Sequence, residues 1–169
     1  MFPGYRTEIV GGQPRAESGQ AAPRQDDQAA VERAGAPGPG GVGRLSDVAV
    51  PMDDSNEFCP DLAVIPAAEV AKNLSAYSPE LIEIAIEVVS PSSVRNDYEV
   101  KDRAYARRGI PHYLIFDPYR RHCVTLWNPG PDGYLGRDTI PYGKQVTVAS
   151  GIGTLSVDTA ALPVDPSAV

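Results

Sequence analysis

A chain of 169 residues, 42% of them hydrophobic, is long enough for one domain around one core. Its net charge of −7 and pI near 4.8 exclude the broad basic surface on which non-specific nucleic-acid binding rests. They leave room for a small basic groove or an acidic metal site.

In chain order, Arg6 to Val10 predicts a short strand ending at Gly11-Gly12. From Gln13 to Arg44 the only apolar residues larger than Ala or Pro are Val31 and Val42. That composition predicts a low-complexity, loosely ordered stretch, with at most a weak helix over Gln25 to Ala34. The sequence therefore divides into an N-terminal strand (1–12), this stretch (13–44) and a domain over 45–169. "LSDVAVPMD" reads as a strand, "MDDSNEFC" as an acidic turn and "DLAVI" as a second strand. Pro66 to Pro79 is a connection with a helical turn at Ala67 to Lys72. "LIEIAIEVV", Leu81 to Val89, is short and mostly apolar on both faces, as in a central strand.

A helix over Asp97 to Arg108 follows. Asn96 is its expected N-cap, Glu99 completes a capping-box pattern, Gly109 is its C′ residue and Pro111 lies just beyond. "HYLIFD" and "HCVTLW" form a hairpin around "PYRR", "NPGPDGY" is a turn, and the remainder reads as short strands and loops. The order from Leu45 predicts an α/β or α+β fold, a sheet with helices packed on it. No run of about 18 apolar residues occurs, so no membrane span is expected. Met1 to Gly12 lacks the pattern of a signal peptide. Cys59 and Cys123 form no C-x-x-C motif and read as free thiols in a reducing cytoplasm.

The candidate chemistry begins with alternation in Leu81 to Val89. Ile82, Ile84, Ile86 and Val88 share one face; Glu83, Ala85, Glu87 and Val89 share the other. Glu83 suits a solvated strand end or a salt bridge. Glu87 lies deeper, where an ionised carboxylate is costly without a partner. On the helix, Asp97, Lys101, Tyr105 and Arg108 share a face by spacing. Asp97 and Lys101 read either as an exposed i,i+4 pair or, because the helix starts soon after Glu87, as neighbours of the same pocket. Asp61, between a proline and an apolar run, is a turn residue or a metal ligand. Two carboxylates with a nearby lysine suit Mg²⁺, which prefers oxygen ligands and often shares them with substrate phosphate.

"PDLAVI", "IEVVSPSS" and "NDYEVKDRAYARRGIPHYLIFDP", in this order, resemble the Uma-two restriction-endonuclease family of the PD-(D/E)xK nuclease superfamily. "YRTEIVGG" resembles its opening; "IPYGKQVTV" and "GIGTLSVDTAALP" resemble its ending. The resemblance implies a restriction-endonuclease-like mixed β-sheet flanked by helices, and hydrolysis of DNA with Mg²⁺ or Mn²⁺ as cofactor. It makes Asp61 and Glu87 the metal ligands and Lys101 the catalytic lysine, taken from the helix because Val89 stands where the superfamily's plain form has lysine. Asp97 and Tyr105 become supporting residues, and Ser90 a hydroxyl for phosphate or simply a turn residue.

The family's usual helix after "GG", often with a histidine, has no counterpart in 13–44. Without it part of the sheet's apolar face would be uncovered, which a homodimer would compensate. His112 and His122 lack metal-ligand spacing and read as ordinary strand residues. The alternative function is a catalytically inactive domain of the same fold that binds DNA or protein.

Overall fold

The computed structural model describes residues 5–18 and 41–165. Strands β1 (Tyr5–Val10) and β2 (Gln13–Ser18) form a hairpin. The start of the stretch expected to be loose is therefore a strand, turning on Gly11 and Gly12, both at positive φ. Pairing along β1 compensates for its lack of apolar side chains. The rest of that stretch up to residue 40, with the weak helix expected over Gln25–Ala34, lies outside the described residues.

"LSDVAVPMD" is not one strand. β3 (Val42–Leu45) and β4 (Val50–Asp53) are separated by a bend at Asp47, whose φ is 57°, and they enter different sheets. β4 turns into β5 (Asn56–Phe58), and the Asp53 carboxylate accepts from Ser55 N–H and Asn56 Nδ2 within the turn. β2, β1, β5 and β4 form a four-stranded sheet in that order.

β6 (Leu62–Pro66) leads into a single helical turn, α1 (Ala67–Val70). β7 (Ile84–Val88) is the buried strand expected from its composition. Helix α2 is wound as a π-helix over Asn96–Lys101 and as an α-helix over Asp102–Arg107. It returns the chain to β8 (His112–Asp117), which is parallel to β7, as a crossover connection permits. β9 (His122–Gly130) and β10 (Gly133–Pro141) extend the sheet antiparallel, so the expected "NPGPDGY" turn shrinks to Pro131-Asp132. The result is a mixed six-stranded sheet ordered β10-β9-β8-β7-β6-β3.

The two faces of this sheet bury different partners. Leu62, Val64, Ile84, Ile86, Leu114 and Phe116 face the hairpin of β11 (Gln145–Ser150) and β12 (Gly153–Asp158), which contributes Val146, Val148, Leu155 and Val157. A β-hairpin thus covers this face, because its alternating valines and leucine present one apolar side. The opposite face, with Ala63, Ile65, Ala85, Tyr113, Ile115 and Leu126, packs against α2 and the four-stranded sheet through Tyr105, Phe58, Met52 and Val50.

The C-terminal end of α2 follows the expected signal. Gly109 sits at φ 73°, its N–H reaches Ala106 O, and Ile110 N–H reaches Tyr105 O. That pair of bonds is a Schellman motif. The N-terminal end does not follow it. Asp97 N–H already bonds Ser93 O, and Ser93 Oγ accepts from Ser90 N–H. The helical turns therefore begin near Ser93, and Asn96 lies inside the helix without capping it. Glu99 instead pairs loosely with Arg95 at 3.6 Å across an exposed surface.

Candidate active site

The face of β7 that carries Ala85, Glu87 and Val89 points toward α2. The β6–β7 register ends at Leu62↔Ile86. Continuing it by one residue sets Asp61 opposite Glu87, on the same face. Asp61 Oδ2 accepts from Val88 N–H at 2.7 Å, which fixes the aspartate against the end of β7.

Lys101 is 1% exposed and Glu87 3% exposed, so the exposed-pair alternative for Asp97 and Lys101 is wrong. The Lys101 ammonium lies 3.0 Å from Glu87 Oε1, 3.1 Å from Glu8 Oε1 and 3.4 Å from Asp97 Oδ1. The Phe58 ring centroid is 6.0 Å away, a cation–π distance that suits a charged nitrogen. The wide π-turn spans the helix segment between Asp97 and Lys101, a deviation frequent at functional sites.

The carboxylates are held by further donors. Tyr105 OH donates to Glu87 Oε1 at 2.9 Å. Cys59 N–H donates to Glu8 Oε1, and Asn96 Nδ2 to Glu8 Oε2, each at 3.0 Å. Ser93 Oγ donates to Asp97 Oδ2, while Tyr113 OH donates to the Asp97 carbonyl. Asn96 thus serves Glu8 in place of the helix start. Ser90 stands on the loop after β7 with its hydroxyl against Ser92 Oγ. Arg108, the fourth member of the expected helix face, turns outward to Glu80 at 2.7 Å.

These positions shift proton affinities strongly. Burial holds the Glu87 carboxyl well above the usual carboxylate range; Lys101 opposes this, and Asp61, Asp97 and Glu8 add to it. Burial disfavours the Lys101 ammonium, but Glu87, Glu8 and Asp97 outweigh it and hold its pKa well above the ordinary lysine value. Burial and the neighbouring Glu87 raise the Tyr105 phenol as well, so it stays a neutral donor. One ammonium thus faces Glu8, Glu87 and Asp97, with Asp61 beside them.

Glu8 is the residue that sequence reasoning missed. The signal was a charged residue between Thr7 and Ile9 in a short first strand, equally consistent with an exposed face. Only the docking of β1 beside β5 brings it to Lys101.

The donor set of Asp61 and Glu87 fits a hard divalent cation, since both offer carboxylate oxygen. Among the described residues no three His, Cys, Asp or Glu side chains are grouped so as to hold a metal by themselves. Water and phosphate oxygens would have to complete the shell, as is common for Mg²⁺. His112 pairs with Ile84, three residues before Glu87, and His122 with Asp117, two residues beyond the Ile115 that pairs with Glu87.

A family model described as "Uma2: Putative restriction endonuclease" matches residues 1–161. No curated protein matches. Among solved structures, one described as a "putative nuclease belonging to DUF820" from Anabaena variabilis ATCC 29413 superposes with a TM-score of 0.59 at 12% identity. The match covers 84% of this chain and 80% of that one, a likeness of fold. No helix among the described residues is long and apolar enough to cross a membrane.

Proposed function

The chain belongs to the Uma2 restriction-endonuclease family, and from that premise we propose that it is a Mg²⁺-dependent endonuclease hydrolysing DNA phosphodiester bonds. One observation carries the reading: the paired carboxylates Asp61 and Glu87 on one sheet face, with a buried lysine 3.0 Å from Glu87.

Asp61 and Glu87 would hold Mg²⁺ or Mn²⁺. The bound metal would supply a polarised phosphate and a water of lowered pKa. The chain's own residues do the rest. Lys101 places a fixed positive charge where negative charge grows as water adds to phosphorus and the P–O ester bond breaks. Glu8 and Asp97 keep that ammonium charged and in place. Tyr105 orients the Glu87 carboxylate by donating to Oε1, and Val88 N–H orients Asp61. Ser90 and its neighbours on the loop after β7 offer hydroxyls to the phosphate.

A second reading has one specific observation in its favour. Glu8, Glu87 and Lys101 are 1–3% exposed and already paired, as a solely structural ion cluster would be. On that reading the chain is an inactive relative that binds DNA or protein. Conversion of supercoiled plasmid in Mg²⁺ or Mn²⁺ separates the two. The enzyme reading requires cleavage by the wild type that Glu87→Gln abolishes. A folded wild type that leaves plasmid intact in both metals, or cleavage equal in the variant, would give the binding reading the advantage.

A further inference from the structure

The same end of the sheet carries a second polar group that the proposed chemistry does not use. Tyr98, on α2, donates to Asp117 Oδ2 at 2.8 Å and lies 3.2 Å from His122 Nε2. The other Asp117 oxygen accepts from Tyr119 N–H and Arg120 N–H. Asp117 is buried and its oxygens are thereby engaged, leaving Arg120 only a loose contact at 3.8 Å. A structural Arg–carboxylate pair is normally shorter and often bidentate. The Arg120 guanidinium instead lies 5.5 Å over the Tyr98 ring with its side chain 62% exposed. Arg137, exposed on β10, makes no ion pair among the described residues and pairs by register with Leu126, four residues along β9 from His122 and on the same face. In a chain of net charge −7, the braced Tyr–Asp–His frame thus carries one outward guanidinium, Arg120, with that of Arg137 exposed on the neighbouring strand pair.

Register gives the distance to the proposed centre. Glu87 pairs with Ile115, Asp117 lies two residues farther along β8, and Asp117 pairs with His122. With standard strand spacing and rise, the His122 Cα is roughly 12 Å from that of Glu87. At 3.4 Å of axial rise per nucleotide, this spans at most about three to four nucleotides of one DNA strand, and fewer where the strand winds around the axis.

We propose that Arg120, Arg137 and His122 form a subsite for a backbone phosphate of duplex DNA a few nucleotides from the scissile one, with Tyr98 and Asp117 holding its frame. The subsite rests on the DNA-nuclease reading above and deepens it. It carries affinity and register without base specificity, because it meets only phosphate.

The test is the salt dependence of binding to a short fluorescein-labelled duplex, followed by anisotropy in KCl. Removing both guanidiniums as Arg120→Gln/Arg137→Gln should lower the slope of log Kobs against log salt by about one, the loss of one phosphate contact. Arg120→Lys/Arg137→Lys should keep the slope, since counterion release follows charge. Arg103→Gln, on the outer side of α2, should leave both slope and affinity unchanged. Both arginines are exposed, so thermal midpoints should match the wild type. If the wild type binds and the double Gln variant keeps its slope and affinity, the subsite alone is wrong. If the wild type binds no duplex across the titration, the DNA-nuclease reading falls and the subsite with it.

Discussion

Lys101→Met removes the ammonium that contacts Glu8, Glu87 and Asp97 while preserving much of the side-chain volume. The ammonium contacts those carboxylates at 3.1, 3.0 and 3.4 Å. Breaking a buried ion cluster by removing one partner costs about 3–5 kcal/mol, because the surviving charges are desolvated and uncompensated. For a chain of this length that is a drop of roughly 6–20 °C in Tm. The cost has a pH dependence whose sign follows from Glu87. Its folded pKa is raised above the unfolded value, so the folded state binds more protons between the two and stability falls as pH rises through that window. Lys101 opposes that rise, so its loss widens the window. Lys101 has a raised pKa itself, and its stabilising contribution is fully present below the ordinary lysine value. The gap between wild type and variant should therefore grow as pH rises above the ordinary carboxylate range, measured by thermal or urea unfolding at each pH. A variant as stable as the wild type at the upper pH, or a gap that shrinks as pH rises, would refute the buried cluster.

Metal binding should release protons, because Glu87 must ionise to act as a ligand; calorimetry with Mg²⁺ in two buffers of different ionisation enthalpy should give different apparent heats, and identical heats would count against Glu87 as a ligand. Asn96→Asp separates the two roles open to that residue: a cap would accept it at almost no cost, whereas beside Glu8 Oε2, now 3.0 Å from the amide, it should lower the urea midpoint by the equivalent of about 1–3 kcal/mol. Gly109→Ala should cost roughly 1–2 kcal/mol of thermal stability from backbone strain alone, since φ is 73° and no atom lies within 4 Å of the added Cβ.

The central strand and the chemistry near it were legible in the sequence because they obey local periodicity. Alternation in Leu81 to Val89 set Glu87 on the α2 face, and the four-residue spacing of Asp97, Lys101 and Tyr105 set them together. Gly109 was legible because few other residues tolerate its backbone angle. What escaped depends on long-range docking. Glu8 meets Asn96 across 88 residues and Cys59 N–H across 51, and no local rule joins such positions. Asn96 satisfied a local capping rule, but the helical turns start earlier, with Asp97 N–H on Ser93 O, and the Asn96 amide serves Glu8. Residues 45–53 read as one strand because apolar content does not reveal the left-handed bend at Asp47 that sends β3 and β4 into different sheets.

On the proposed function, Asp61 and Glu87 jointly hold one divalent cation. Titration of Mn²⁺, followed by the loss of its free electron paramagnetic resonance signal, measures this directly. One site is expected in the wild type, weakened severely by Asp61→Asn and by Glu87→Gln, and retained in Lys101→Met if that variant is folded. A wild type that leaves the free Mn²⁺ signal intact, or single-carboxylate variants that bind as tightly as the wild type, would contradict it.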